Sequence, residues 1–232
     1  MDSNKYPAIV LAGGLGTRLR SVIRDLPKPM APVNGKPFLH YIFQYLVKQQ
    51  ITEVVLSVGY RHETIKEFFG FEYMGIKIQY SVEEEPLGTG GGIKQAFDLL
   101  NGPAYVLNGD TYFDIDLDSL QQFYLQTNSS IAIALKQMKN FDRYGTVQLN
   151  AENRITKFEE KRFLPEGLIN GGIYFFNKDL FSFVDVGQKF SFERDILEKH
   201  AGVLRFSGKV FDGYFIDIGI PEDYNKAGHD FK

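Results

Sequence analysis

The sequence predicts an α/β fold in which a mixed, mostly parallel sheet carries helices on both faces. From residue 7 to about residue 135, short apolar runs alternate with helical patterns, which is typical of such a sheet. The runs are almost continuously apolar, as expected for strands that are buried on both faces. They occupy residues 8–11, 54–58, 105–108 and 131–135.

Two apolar stripes predict helices between these strands. Apolar side chains recur at i, i+3, i+4 and i+7, the spacing of an amphipathic helix. One stripe contains Leu39, Ile42, Phe43 and Leu46, and the other contains Ile93, Ala96, Phe97 and Leu100. Residues 76–80 alternate between apolar and polar types and therefore predict a half-exposed strand.

The pattern changes after about residue 140. Residues 146–149 and 154–158 alternate around a polar turn at 150–153, which predicts a β-hairpin. We also expect a buried strand at 172–176, a short helix near 192–200 and a final strand through 214–216. Since no Pro/Ser-rich linker interrupts the chain, we expect residues 1–232 to form a single domain.

Composition excludes several classes of function. The 26 Lys and Arg residues stand against 29 Asp and Glu residues, so no broad positive field is available to hold a nucleic acid. The absence of cysteine excludes disulfides, thiolate metal sites and a cysteine nucleophile. The first apolar run is too short for a signal peptide, and no stretch has the length of a membrane span. We therefore predict a cytoplasmic protein that acts on small molecules.

A glycine-rich segment, residues 11–19, follows the first predicted strand. Backbone N–H groups in such a turn can cradle a phosphate, but glycine also suits a tight turn that binds nothing. The Walker pattern is excluded because Thr17 and Arg18 follow Gly16, and the dinucleotide pattern because Leu19 replaces its third glycine.

A proline-rich segment follows the glycine-rich one. Four prolines in residues 27–37 are incompatible with helix and would hold Lys28 on a stiff backbone. Arg18 and Lys28 would then be two fixed cations beside a phosphate cradle, as charge neutralisation in phosphoryl transfer requires.

Together, LAGGLGTRL at residues 11–19 and PKPMAPVNGKP at residues 27–37 resemble the signature of the sugar-1-phosphate nucleotidylyltransferases. This family joins a nucleoside triphosphate to a sugar 1-phosphate and releases pyrophosphate. The resemblance implies a Rossmann-like fold of the nucleotide-diphospho-sugar transferase type, with a nucleotide-binding part up to about residue 135. The remainder, residues 136–232, would bind the sugar phosphate and include a small β-hairpin region.

The resemblance also assigns residues to the nucleotide. Arg18 would contact the departing phosphates and Lys28 the reacting ones. The other expected contacts in the glycine-rich loop are Leu11, Ala12, Gly13, Gly14, Gly16 and Thr17.

Residues 85–92 resemble the family's base-recognition loop, in which bare glycines would let a planar base lie against the main chain. Gly88 and Thr89 are the expected base contacts, with Glu85, Pro86 and Leu87 beside them. A flexible loop with no ligand is the alternative, because glycine and proline are ordinary turn residues.

An aspartate ends each of two predicted strands. Asp110 follows Asn108 and Gly109 at the carboxyl end of a buried strand, where open α/β sheets bind their ligands, and all three are expected nucleotide contacts. By resemblance, Asp110 and Asp217 would hold Mg²⁺ between the nucleotide and sugar phosphates, and such a pair suits magnesium. The nearby aspartates are interpreted as a loop and helix N-cap cluster. They are Asp114, Asp116 and Asp118.

The sugar phosphate would meet residues of the second half. By resemblance, Glu160 binds sugar hydroxyls and Lys161 binds the sugar phosphate, although a solvated strand end is the alternative. Arg162 stands where the family usually has proline, so the backbone is expected to differ there. The other expected sugar contacts are Tyr144, Gly145, Asn170, Gly171 and Gly172.

The hypothesis is therefore a nucleotidyltransferase without a side-chain nucleophile, for which the four histidines have no catalytic role. The loops resemble most closely members that use GTP and a heptose 1-phosphate to supply bacterial surface glycans. Mannose 1-phosphate with GTP, or UTP or dTTP with a hexose or amino-sugar phosphate, stay open as alternatives. So does a non-catalytic nucleotide-sugar sensor, and the chain could be a monomer or a homodimer.

Overall fold

The computed structural model describes residues 5–14 and 26–231. Within these ranges the helices are α1 (Phe38–Lys48), α2 (His62–Phe69), α3 (Gly88–Phe97), α4 (Leu117–Thr127) and α5 (Pro221–Asp230). The strands of the first half are β1 (Ala8–Leu11), β2 (Pro32–Val33), β3 (Lys36–Pro37), β4 (Glu53–Val58), β5 (Glu72–Tyr73), β6 (Ile76–Val82), β7 (Ala104–Asn108) and β8 (Thr111–Phe113). Those of the second half are β9 (Ile131–Phe141), β10 (Thr146–Leu149), β11 (Ile155–Glu159), β12 (Leu164–Phe176), β13 (Phe206–Phe211) and β14 (Phe215–Asp217).

The main sheet has the order β11-β10-β12-β7-β1-β4-β6-β5. Its centre is parallel, because β1 pairs in parallel with both β7 and β4, and β4 pairs in parallel with β6. The long strand β12 then runs antiparallel to β7 and to β9, and β13 adds in parallel to β9. The predicted mixed, mostly parallel sheet is therefore confirmed.

Both faces of this sheet are buried. In β4, Val54 and Leu56 pack into the cluster that contains Phe38, Leu39 and Ile42 of α1. Val55 lies between them in sequence but points to the opposite face, where it joins Ile93 and Phe97 of α3. This is why the central strands have almost continuous apolar sequences.

The structure differs from the expected elements at several places. Strands β9 and β12 are much longer than predicted. Their additional residues pair with each other as an antiparallel ribbon, and its far end is partly exposed. Leu100 is buried but follows the end of α3. The proline-rich segment contains one 3₁₀ turn, Lys28–Met30, and the helix at Phe192–Glu198 is of the π type. Strand β13 was not predicted.

The predicted hairpin is present as β10 and β11, and Asp116 caps α4 by accepting hydrogen bonds from the N–H groups of Asp118 and Ser119. Across the described residues, no helix has the length and apolar character needed to cross a membrane.

Candidate active site

The centre of the site lies where β1 and β7 end side by side. The N–H group of Gly109 donates to the carbonyl oxygen of Leu11 at 2.9 Å. A Cβ atom at Gly109 would lie 2.3 Å from that same oxygen, so the chain passes β1 only because the residue is glycine. This close approach places Asp110 directly beyond the carboxyl edge of the sheet, where ligands bind in open α/β folds.

The second aspartate reaches the same place through a short antiparallel ladder. Strand β14 pairs with β8, which sets Asp217 opposite Thr111. The N–H group of Ile218 also donates to the main-chain oxygen of Asp110 at 3.0 Å. Backbone hydrogen bonds therefore bring together two residues that are far apart in the sequence.

Lys28 joins the two carboxylates. Its Nζ atom lies 2.5 Å from Oδ2 of Asp110 and 3.4 Å from Oδ1 of Asp217. The side chain of Lys28 is only 13% exposed, and the buried Pro29 and Met30 that follow it fix the 3₁₀ turn in place. The stiff segment predicted from the prolines thus carries its lysine into the site.

Opposing electrostatic effects act on the pKa of the Asp217 carboxyl. Burial raises the pKa of its carboxyl above the ordinary value, and the negative charge of Asp110 raises it further. The ammonium of Lys28 favours the ionised form, as does the N–H group of Gly219, which donates to Oδ1 of Asp217 at 2.8 Å.

The aspartate pair suits one particular kind of metal site. Among residues 5–14 and 26–231, no group of three or more His, Asp or Glu side chains is placed to hold a metal ion. Asp110 and Asp217, however, already converge on one cationic atom, that of Lys28. Two carboxylates fit an ion that completes its coordination with substrate oxygens and water, as Mg²⁺ commonly does.

A cavity of about 530 Å³ opens beside this cluster. It contains many of the residues predicted to bind the nucleotide, which the structure therefore brings together. Its lining includes Leu11, Gly14, Lys28, Thr89, Asn108, Gly109, Asp110, Lys161 and Glu193. The predicted contacts Gly16, Thr17 and Arg18 lie outside the described residues.

A second cavity, of about 590 Å³, adjoins the first and contains predicted sugar contacts. Its lining includes Gly145, Glu160, Lys161, Asn170 and Glu193. Asn170 is held in place because its Oδ1 accepts from the N–H of Gly172 at 3.0 Å and its Nδ2 donates to the Tyr174 hydroxyl at 2.8 Å. Lys161 and Glu193 line both cavities, so the two spaces meet at these side chains.

Other predicted sugar residues occupy different places. Gly172 has a φ of +73°, and a Cβ atom there would lie 2.8 Å from Nδ2 of Asn108. At Gly171 a Cβ atom would lie 2.5 Å from the ring of Phe113. Both glycines thus permit close packing behind the site. Tyr144 lines a separate cavity of about 230 Å³, together with Arg143, Asp217 and Asp223.

A further cavity, of about 450 Å³, contains Gly13 and Pro86 and reveals a residue that the sequence analysis missed. Glu83 lines this cavity, and its Oε2 accepts from the N–H of Leu87 at 2.9 Å. Residues 83–85 are all glutamate, so the sequence could not show that only the first is held by a hydrogen bond to Leu87. The exposed Glu85 lines none of these four cavities.

The glycines of the base-recognition loop pack against another part of the chain. A Cβ atom at Gly88 would lie 2.5 Å from the carbonyl oxygen of Phe190, and one at Gly91 would lie 2.4 Å from that of Gln188. Two backbone hydrogen bonds join the same segments, from Gly90 N to Phe190 O at 3.0 Å and from Phe190 N to Leu87 O at 2.9 Å. These glycines therefore have a packing role that local sequence could not reveal.

Known proteins resemble this chain over most of its length. The chain is 56% identical over 217 residues to D-glycero-alpha-D-manno-heptose 1-phosphate guanylyltransferase of Campylobacter jejuni. The alignment covers 94% of this chain and 96% of the relative. It is 52% identical over 221 residues to the protein of the same name from Aneurinibacillus thermoaerophilus, covering 95% and 96%. The crystal structure of HddC from Yersinia pseudotuberculosis complexed with GMP-PN superposes with a TM-score of 0.88 at 37% identity, covering 98% of this chain and 100% of that one.

The family-level expectation from residues 11–37 is confirmed by a match that spans nearly the whole chain. The sequence model described as Nucleotidyl transferase matches residues 7–232. The chain belongs to the nucleotidyl transferase family.

Proposed function

We propose that this protein transfers a guanylyl group from GTP to D-glycero-α-D-manno-heptose 1-phosphate, forming GDP-heptose and pyrophosphate. The observation that carries the proposal is the cluster of Lys28, Asp110 and Asp217 at the edge of a cavity that meets a second one. Two relatives that are 56% and 52% identical over almost their whole length carry the corresponding name. The product would be a sugar donor for bacterial surface glycans, made in the cytoplasm.

The reaction needs alignment and charge stabilisation more than a chemical group from the protein. An oxygen of the sugar phosphate attacks the α-phosphorus of GTP, the bond to the β-phosphate oxygen breaks, and pyrophosphate leaves. Because the attacking oxygen is already an anion, no general base is required. Lys161 would hold the sugar phosphate, Lys28 the reacting phosphates and Arg18 the departing ones.

We infer that Asp110 and Asp217 hold Mg²⁺ when substrates are bound. The ion would supply positive charge to the phosphate oxygens of the reacting groups. Lys28 also contacts both carboxylates and offsets their charge. Substrate binding would then require Lys28 to exchange carboxylate contacts for phosphate contacts.

Glu83 supports the choice of GTP. Guanine carries an N–H and an NH₂ side by side on its Watson–Crick edge, and a carboxylate can accept from both. Glu83 lines the cavity that also contains Gly13 and Pro86, and the N–H of Leu87 fixes its orientation. We infer that the base occupies this cavity, while the triphosphate extends past Gly14 toward Lys28.

The proposal is tested by pyrophosphate release with Mg²⁺ and each of GTP, ATP, UTP, CTP and dTTP, crossed with heptose, mannose and glucose 1-phosphates. We expect release with GTP and the heptose phosphate. Release with another pair would keep the chemistry and overturn the specificity. No release with any pair, from folded protein that binds nucleotide, would favour a nucleotide-sugar sensor.

A further inference from the structure

Glu193 lies at the junction of the two cavities and has no role in the reaction described so far. It lines the 530 Å³ cavity beside Asp110 and the 590 Å³ cavity beside Glu160. Lys161 lines both cavities as well. Any sugar 1-phosphate that reaches from one cavity into the other must therefore pass Glu193.

Hydrogen bonds hold the carboxylate of Glu193 in one orientation. Its Oε2 atom accepts from the hydroxyl of Thr89 at 2.6 Å and from the hydroxyl of Ser191 at 3.0 Å. Thr89 is itself fixed, because its hydroxyl oxygen accepts from the N–H of Phe192 at 2.9 Å. Two elements that are distant in sequence thus fix this side chain before any substrate binds.

The helix that carries Glu193 adds to this rigidity. Ser191 is the N-cap of the helix Phe192–Glu198, and its hydroxyl accepts from the N–H of Arg194 at 3.2 Å. The N–H of Ser191 donates to Oδ2 of Asp195 at 2.8 Å. Glu193 therefore projects from a capped first turn, where its carboxylate is pre-organised for a ligand.

The chemistry of a carboxylate restricts what it can meet at this junction. An ionised glutamate only accepts hydrogen bonds and repels a phosphate, so its partner on a heptose phosphate, whose donors are all hydroxyls, must be a hydroxyl. The phosphate-bearing carbon of the sugar has to lie near the junction, because the phosphate must reach the nucleotide cavity while the ring stays in the other one. The hydroxyl nearest to that phosphate is the one on C2.

We propose that Glu193 accepts a hydrogen bond from the C2 hydroxyl of the sugar and thereby selects the configuration at C2. The proposal rests on the function proposed above, because it requires a sugar 1-phosphate as substrate. Glu193 would then be a specificity residue in addition to Glu160 and Asn170. It follows closely after Gln188 and Phe190, which pack against the base-recognition loop.

The test crosses two changes, Glu193→Ala in the protein and removal of the C2 hydroxyl from the sugar phosphate. With wild-type protein, the 2-deoxy substrate should lower kcat/KM about 10- to 100-fold, as expected for a lost hydrogen bond to a charged group. Glu193→Ala should show a similar loss with the normal substrate and little further loss with the 2-deoxy substrate. Glu193→Gln, which retains an acceptor oxygen, should recover part of the discrimination.

Other outcomes are distinguishable. If the two penalties multiply, Glu193 does not contact the C2 hydroxyl and the proposal is wrong. If Glu193 acts only by holding Thr89, GTP binding measured without sugar weakens in Glu193→Ala and the 2-deoxy penalty stays at its wild-type size. Glu152→Gln removes a carboxylate from the exposed hairpin turn and should leave all these values unchanged. Wild-type protein that turns over no sugar phosphate would instead contradict the proposed function.

Discussion

The Nζ atom of Lys28 lies 2.5 Å from Oδ2 of Asp110, although the two residues are 82 positions apart in the sequence. The same ammonium also contacts Asp217, which comes from the last strand of the fold. One cation thus joins the carboxyl edge of the parallel sheet, the proline-rich segment and the C-terminal ladder.

Replacing Asp110 by Asn should lower turnover at least about 100-fold, because a neutral amide is a poor ligand for a divalent cation at the phosphates. The free energy of unfolding should change little, since the side chain is partly exposed. Pyrophosphate release and urea unfolding measure the two effects. Asp114→Asn is the matched control, because Asp114 pairs with Lys48 at 3.0 Å outside the cavities. Near wild-type turnover in Asp110→Asn would contradict the metal assignment.

Replacing Lys28 by Met should make the protein more responsive to Mg²⁺ in the absence of substrates. Asp110 and Asp217 would face each other without the ammonium that now offsets their charge. We expect Mg²⁺ to raise the melting temperature of Lys28→Met by about 2–4 °C more than that of wild type, equivalent to about 1 kcal/mol. Sodium chloride at equal ionic strength controls for screening. An equal rise in both proteins would show that Lys28 does not compete with the ion.

Replacing Gly88 by Ala should destabilise the protein by about 1–3 kcal/mol, because the residue has a φ of +74° and its Cβ would press on the backbone of Phe190. The KM for GTP should rise, since Pro86 of the same loop lines the cavity proposed for the base. Urea unfolding and initial rates measure the two effects. At Gly187 a Cβ atom meets nothing within 4 Å, so Gly187→Ala should stay within about 0.5 kcal/mol of wild type. Equal stability of the two variants would argue against the packing role of Gly88.

Arg143 and Asp223 should show a measurable coupling energy. Nη1 of Arg143 lies 2.5 Å from Oδ2 of Asp223, and the guanidinium lies over the ring of Tyr144 at 5.4 Å. Because both side chains are partly exposed, we expect only about 0.5–1.5 kcal/mol from a double-mutant cycle of unfolding free energies.

The pair Arg162 and Glu159 provides the comparison for that cycle. Its N–O distance is 3.1 Å, but the Arg162 side chain is 64% exposed, and its coupling should fall below about 0.5 kcal/mol. A larger coupling in this exposed pair would contradict the argument that burial sets the difference.

Much of the central fold could be predicted from local sequence. Strands β1, β4 and β7 are buried on both faces, so Ile9, Val55 and Val106 had to be apolar along with their neighbours. The stripes in α1 and α3 follow from the same requirement on one face of a helix. The later strands were harder, because β9 and β12 leave the core partway along and their exposed ends have mixed polarity.

Some residues of the candidate site could be predicted from local sequence and others could not. Lys28 and Asp110 could be named because each lies in a short stretch whose residue types suit phosphate or metal, and Lys161 could be named only from the family resemblance. Glu83 and Glu193 could not, because a glutamate at the end of a strand or in a first helical turn is ordinary in any sequence. Only their hydrogen bonds, to Leu87 in one case and to Thr89 in the other, distinguish them.

The sequence by itself therefore determined the fold class, the family and the chemical identity of the groups at the carboxyl edge of the sheet. Residue type and local periodicity can be read from the sequence without knowing which segments come into contact. Tertiary structure alone decided that Lys28 contacts both aspartates. It also decided that the backbone of Phe190 leaves no room for a side chain at Gly88, and that Glu193 lines two cavities. Each of these depends on distances between segments that the folded sheet, and not the order of residues, brings together.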